Sequence, residues 1–326
     1  MERRRFVGAA VVLVSSASLV VHGQQRERVR RIGFLSNAAN PTQGGVQLEA
    51  LVLGLSKLGW IEGQNIAIER RWSDGYSDRL PHLVAELVQE KVEVIFLSGP
   101  QAMAAARKAT STVPIVFVLL TDPVASGFVR SLARPGGNMT GVASQYEELI
   151  TKQLQLLKEA IPNLSRVAFL RHSEASPGVL NSAESAARSL GLTTRTFTVS
   201  REQEFEGAFK AARGERVGGV LVLPSPILGA QRARLIEAAA RYQMPAFYEL
   251  RIYVQDGGLM CYGPRFDDLY GRAASYVDRI LKGANPGDLA IERPARFELV
   301  INVKTAAALG LVIPQSLLAR ADELIQ

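Results

Sequence analysis

The chain has 326 residues, 47% of them apolar and 21% charged. That excludes a disordered chain and supplies a core for one large domain or two of medium size. The formal charge of +7 is spread along the chain among carboxylates, as in "SREQEFEG" and "RADELIQ", the pattern of a solvated surface, so nucleic acid is not an expected partner.

In chain order, residues 1–23 stand apart. Arg3, Arg4 and Arg5 precede an apolar run from Phe6 to Val21, followed by His22 and Gly23. The run falls short of the roughly 20 apolar residues that a spanning helix needs. It therefore reads as a signal peptide cleaved after Gly23, with an uncleaved anchor as the alternative. "RRRF" also matches the twin-arginine export pattern. Cys261 is the single cysteine and lies far from the signal region, so no disulfide or lipid-attachment cysteine tethers the exported chain. An untethered exported protein fits the periplasm of a double-membraned bacterium.

"RIGFLS" (31–36) reads as a buried strand, and Leu48, Leu51, Val52, Leu55 and Leu58 then repeat at helical spacing up to Gly59, a helix stop. Strands follow at "NIAIERRW", "VEVIFLS" and "PIVFVLL", each with a helical pattern behind it. After Leu120, Asp122-Pro123 is a helix start, Ser126–Ala133 the helix body, and Pro135, Gly136 and Gly137 the stop before an extended "MTGVAS". The glycines follow a helix and precede a strand, the reverse of a phosphate cradle, so the segment reads as a crossover between two bodies.

A second series runs through "RVAFLR" (166–171), "TTRTFTV", "GGVLVLP" and "PAFYEL". "GGLMCYGPRF" (257–266) is a second crossover, with a helix from Asp267 to Leu281 returning to the first body. "RFELVINVK" (296–304) is a third crossover, and "TAAALGLVIPQSLLARADELI" supplies two closing helices. Apolar strands alternating with helices imply parallel sheets covered on both faces. The expectation is an α/β fold of two Rossmann-like parallel-sheet lobes joined by a three-crossover hinge. The first lobe would hold residues 24–143 with 264–295, the second 144–263 with 296–326.

Ligands of open parallel sheets bind beyond the carboxyl ends of the strands. In the first lobe those ends are Ser36 and Asn37, Ser98 and Gly99, and Thr121 and Asp122; in the second they are Arg171 and His172, Pro224 and Ser225, and Tyr248 and Glu249. The crossovers add Ser144, Gln145, Tyr146 and Tyr262. Ser98-Gly99-Pro100-Gln101 opens a helix whose free amides suit a carboxylate, although a simple cap explains the same residues. Asp122 either caps its helix or pairs with a ligand ammonium. Tyr146 and Tyr248 either stack on an apolar ligand or belong to the core.

Other chemistry is missing from the sequence. The three histidines, His22, His82 and His172, offer no pair at metal-ligand spacing, and there is no G-x-S-x-G elbow or G-x-G-x-x-G fingerprint. Cys261 follows an apolar run with no histidine near it in sequence and reads as an inert buried thiol. No catalysis, cofactor or metal is expected.

The blocks "DPVASGFVRSLARPGGNMTGV", "GGLMCYGPRFDDLYGRAASYVDRILKGANPGDLAIERP" and "FELVINVKTAAALGLVIPQSLLARADELI" resemble the ABC-transporter substrate-binding protein family related to tryptophan and tyrosine receptors, from about Arg31 to Gln326. The resemblance implies a type I periplasmic-binding fold and a small carboxylate-bearing solute, such as an aromatic or other amino acid, held between the lobes. It also implies delivery to a permease with its ATPase. The expected receptor is a monomer that closes on its ligand. A sensing partner of a membrane signalling protein would have the same form. Arg171-His172-Ser173 departs from the Asn-Pro-type turn associated with the family.

Overall fold

The computed structural model describes residues 29–37 and 40–326; the signal peptide expected over residues 1–23 lies outside them. The first series builds β1 (Arg30–Ser36), α1 (Asn40–Lys57), β2 (Ile66–Trp72), α2 (Leu80–Gln89), β3 (Val94–Ser98), α3 (Pro100–Ala109), β4 (Ile115–Leu119) and β5 (Met139–Ala143). The five strands form one parallel sheet in the order β2-β1-β3-β4-β5. Every residue of β3, β4 and β5 is buried, because helices cover both faces.

The second series builds α4 (Ile150–Ala160), β6 (Arg166–His172), α5 (Pro177–Ser189), β7 (Thr193–Val199), α6 (Phe205–Gly214), β8 (Gly219–Val222), α7 (Pro226–Ala230), α8 (Arg232–Arg241) and β9 (Ala246–Tyr248). It continues with α9 (Arg251–Gln255), β10 (Met260–Pro264), α10 (Phe266–Leu281), β11 (Phe297–Asn302), α11 (Val303–Ala308), α12 (Gln315–Leu318) and β12 (Glu323–Ile325). Seven strands pair as β12-β11-β10-β9-β8-β6-β7. All pairs are parallel except β10 with β11.

The chain passes between the two sheets three times: after β5, after β10, and ahead of β11. On the second passage α10 packs on the first sheet, where Leu269, Tyr270, Ala273 and Val277 join a core with Leu51, Leu55, Phe34 and Phe96. Gly54 of α1 is set so close to α10 that a Cβ on it would lie 2.7 Å from the Ala274 Cβ. On the third passage Leu289 and Glu292 fasten to β5, through Thr140 Oγ1 donating to Leu289 O at 2.7 Å and Ala143 N donating to Glu292 O at 3.0 Å.

Two expected elements differ. Residues 126–133 form turns, not a helix. Asp122 starts a helical turn as expected, but Gly127 at φ 69° takes the chain left-handed and ends it. At the carboxyl terminus the two short helices are present, and the final Glu323–Ile325 is an edge strand on β11 that three residues of alternating pattern could not announce.

At Gly141, φ is 153°, and an added Cβ would stand 2.1 Å from Phe117 O on the neighbouring strand. Gly141→Ala should therefore destabilise the protein by about 2–4 kcal/mol, measured by urea unfolding. The Cys261 side chain is fully buried in the second sheet, and burial drives its thiol pKa far upward. Cys261 should resist a thiol reagent in the native protein at pH 8 and label fully once the chain is unfolded.

Candidate ligand-binding cleft

The carboxyl ends of β1, β3 and β4 face those of β6, β8 and β9 across a cavity of about 120 Å3, the size class of cavities that hold a benzene-sized group, roughly 150 Å3. Of the residues expected at the site, Ser36, Asn37, Ser98, Gly99, Gln101, Thr121, Ser225 and Glu249 line it. The rims of the two bodies touch over this cavity. Ser77 Oγ donates to Glu174 Oε2 at 2.7 Å, Gln101 Nε2 donates to Glu174 O at 3.4 Å, and a Cβ on Gly99 would lie 2.5 Å from Pro226 Cγ.

Six expected residues are not part of the lining. Asp122 is a cap: its Oδ1 accepts from Val124 N and Ala125 N at 2.7 and 3.1 Å, and its Oδ2 accepts from Gln145 Nε2 at 3.2 Å. Gln145 thereby ties the first crossover to that turn, with a left-handed φ of 47°. Tyr146 is buried in the core of the second sheet. His172 braces the turn between β6 and α5: its Nδ1 accepts from Glu174 N at 3.2 Å, and its Nε2 lies 3.3 Å from Ser200 O. Tyr248 stacks on Tyr253 with ring centroids 4.8 Å apart, and Tyr262 stacks on Phe297 at 6.0 Å. Tyr248 and Glu249 are adjacent at a strand end, where successive side chains take opposite sides, so one enters the helix-covered core and the other the cavity.

The walls also use residues that the sequence reading missed. Val118, Leu120 and Leu269 from the first body and Leu250 and Ile252 from the second make them largely apolar. Tyr270 and Tyr253 add two aromatic rings. Tyr253 lies only four residues past Glu249, across the extended Leu250 that opens α9, and its hydroxyl donates to Glu249 Oε1 at 3.2 Å. Tyr270 had no such proximity: α10 carries it in from a distant part of the chain, against Phe96 with ring centroids 5.6 Å apart.

Two helices of ten and thirteen residues, α3 and α5, begin at the cavity without a side-chain cap, at Gly99 and Ser176. The first-turn amides at such ends carry partial positive charge and suit an anion. Ser225 Oγ, in contrast, already accepts from Leu228 N at 3.4 Å. Arg232 also lines the cavity, with Nε donating to Asp256 Oδ2 at 2.6 Å and Nη1 to Gly229 O at 3.3 Å. Asn37 Oδ1 accepts from Ser73 Oγ at 2.8 Å while its Nδ2 has no partner, and Gln101 Oε1 and Glu249 Oε2 are likewise buried without one.

Glu249 is 3% exposed, and burial pushes its carboxyl up to about 7. The same burial, with the Glu249 charge nearby, raises the hydroxyl pKa values of Tyr146, Tyr248 and Tyr253. The cavity thus offers anion-binding helix ends, an under-satisfied carboxylate and an apolar space between them, an arrangement that can hold a small amphoteric molecule.

The sequence profile of the ABC transporter substrate binding protein family matches residues 42–325. A protein of Clostridioides difficile named tyrosine-binding protein is 24% identical over 288 residues, 87% of this chain and 82% of its own. A conserved domain protein from Vibrio cholerae superposes with a TM-score of 0.85 at 25% identity, covering 91% of this chain and all of its own. An ABC domain from Streptococcus pneumoniae in complex with L-Trp superposes with a TM-score of 0.83 at 24% identity, covering 91% and 99%. The fold is that of these two structures, and the chain belongs to the ABC transporter substrate-binding protein family.

Proposed function

We propose that this protein is an extracytoplasmic receptor of an ABC importer that encloses one aromatic amino acid in its cleft and presents it to a permease with its ATPase. Residues 24–143 with 264–295 and 144–263 with 296–326 are its two lobes, the three passages between the sheets are its hinge, and it works as a monomer. Export uses residues 1–23.

One observation carries the reading: a largely apolar cavity lined by both bodies has uncapped helix ends and a buried, under-satisfied carboxylate in its walls. The helix ends take the ligand carboxylate, and the apolar walls take its ring. The name of the tyrosine-binding relative and the L-Trp in the related structure support the ligand class. Among the described residues, no helix is long and apolar enough to cross a membrane.

A micromolar dissociation constant corresponds to about −8 kcal/mol. Burying a ring of about 200 Å2 at about 25 cal/mol per Å2 supplies about 5 kcal/mol before the cost of association, so ring burial alone is insufficient and the polar anchors are required. A ligand favours the closed form only by contacting both lobes better there than when they are apart.

Calorimetry of residues 24–326 with L-tryptophan, L-tyrosine and L-phenylalanine should show one-to-one binding of at least one of them in the micromolar range, with a smaller scattering radius on binding. No heat and no thermal shift with any of the three contradicts the reading. Gly99 stands at φ 88°, so Gly99→Val strains the backbone there and pushes a branched side chain against Pro226. It should weaken binding at least roughly ten-fold, about 1.4 kcal/mol, and abolish the contraction, while circular dichroism stays that of the parent.

A further inference from the structure

Among the polar groups of the cavity, Glu249 is the one whose geometry is least comfortable without a ligand. Oε1 accepts one hydrogen bond, from Tyr253 at 3.2 Å, and Oε2 is buried with none. The titratable groups that feel its charge are Tyr253 from α9, Tyr248 from β9, Tyr146 from the first crossover and Cys261 from β10. All four have raised pKa values, so none is a cation and none is ionised near neutral pH. Arg232 of α8 is the cation in the lining, and its guanidinium is engaged with Asp256 Oδ2 and Gly229 O. Across the cleft, Gln101 Oε1 on the first body is a second buried acceptor without a donor.

We propose that Glu249 makes closure of the cleft conditional on an ammonium group: closing over any solute that lacks one buries the carboxylate unpaired, and closing over a protonated amine pairs it. This rests on the receptor reading above and names the selectivity that the site adds to it. With the rims apart, water solvates the carboxylate. With the rims in contact, the second oxygen loses that water, and an unpaired buried charge is costly. An ammonium supplies the donor that Oε2 lacks, so its pairing removes the penalty of closing and favours the closed form. A des-amino acid fills the same apolar space and reaches the same helix ends, but leaves Oε2 unpaired.

The carboxyl's upward shift to about 7 fixes the sign of a pH effect. The closed form with an unpaired Glu249 holds its proton more tightly than the solvated open form, so acid favours closing without an ammonium. Affinity for a des-amino acid therefore rises as pH falls from 8 towards 5.5.

The test is calorimetry on wild type and Glu249→Gln with L-tryptophan and 3-(indol-3-yl)propanoate, and with L-tyrosine and 3-(4-hydroxyphenyl)propanoate, at pH 8 and pH 5.5. Wild type at pH 8 should prefer the amino acid by roughly 100-fold or more, the range expected when a buried charge loses its partner. Glu249→Gln should bind the amino acid more weakly and the des-amino acid more tightly, bringing the ratio below roughly ten-fold. The wild-type ratio should shrink at pH 5.5, and the ratio in Glu249→Gln should not change. If the variant does not fold, the wild-type pH series decides alone. A wild-type preference within about three-fold, or a ratio unchanged by the substitution or by pH, overturns the proposal and leaves the receptor reading standing. No binding of any of the four compounds overturns both.

Discussion

The constraint on which this structure depends is strand direction. In a parallel sheet every strand delivers its carboxyl end, and the following helix its amino end, to the same edge. Setting two such edges face to face concentrates backbone amides, small hydroxyls and strand-end side chains in one gap, while the apolar strand bodies remain under helices on both sides. The polar groups that the cavity does have follow first from topology, before any individual side chain is considered. The chemistry of Ser98-Gly99-Pro100 at one edge and Ala175-Ser176-Pro177 at the other is the local form of that rule: each pairs a strand end with an uncapped helix start preceded by a residue outside helical geometry.

Side chains then give the gap its polarity. The first body contributes neutral hydrogen-bonding groups, Ser36, Asn37, Ser98, Gln101 and Thr121; the second contributes the carboxylate of Glu249, the Ser225 hydroxyl and the Arg232 guanidinium, which is engaged with Asp256. The rims meet through a few contacts, the exposed Ser77–Glu174 and Gln101–Glu174 hydrogen bonds and the Gly99–Pro226 apposition. Such contacts contribute little individually. The fixed part of the connection lies elsewhere, in Asp122 with Gln145, in Thr140 with Leu289, and in the buried seat of α10 on the first sheet.

Much of this was legible in the sequence, for a physical reason. Uninterrupted apolar strands with helical repeats between them specify parallel sheets, and the strand-end rule alone locates Ser36, Ser98, Thr121, Ser225 and Glu249 at the cavity. The rule carries no information on which way a strand-end side chain points. Tyr248 and His172 sit at the expected positions in sequence and turn into the core or into a turn, and the crossover tyrosines Tyr146 and Tyr262 pack against the second sheet. The aromatic rings at the cavity are Tyr253 and Tyr270, and Tyr270 arrives on α10 from the far side of a crossover, a juxtaposition that only tertiary packing creates. Gly127 ended a helix that Asp122 and Pro123 had started well, a case of one left-handed residue outweighing a good cap.

The central claim is that the facing strand edges grip an amino acid, with its ammonium on Glu249 and its carboxylate at a helix end. A crystal structure of the protein with L-tryptophan or L-tyrosine tests this most directly. The account predicts the ligand nitrogen within about 2.7–3.2 Å of Glu249 Oε2 and the carboxylate at the amino end of α3 or α5. A ligand bound outside the cavity, or one inside it with its carboxylate turned towards Glu249, would contradict it.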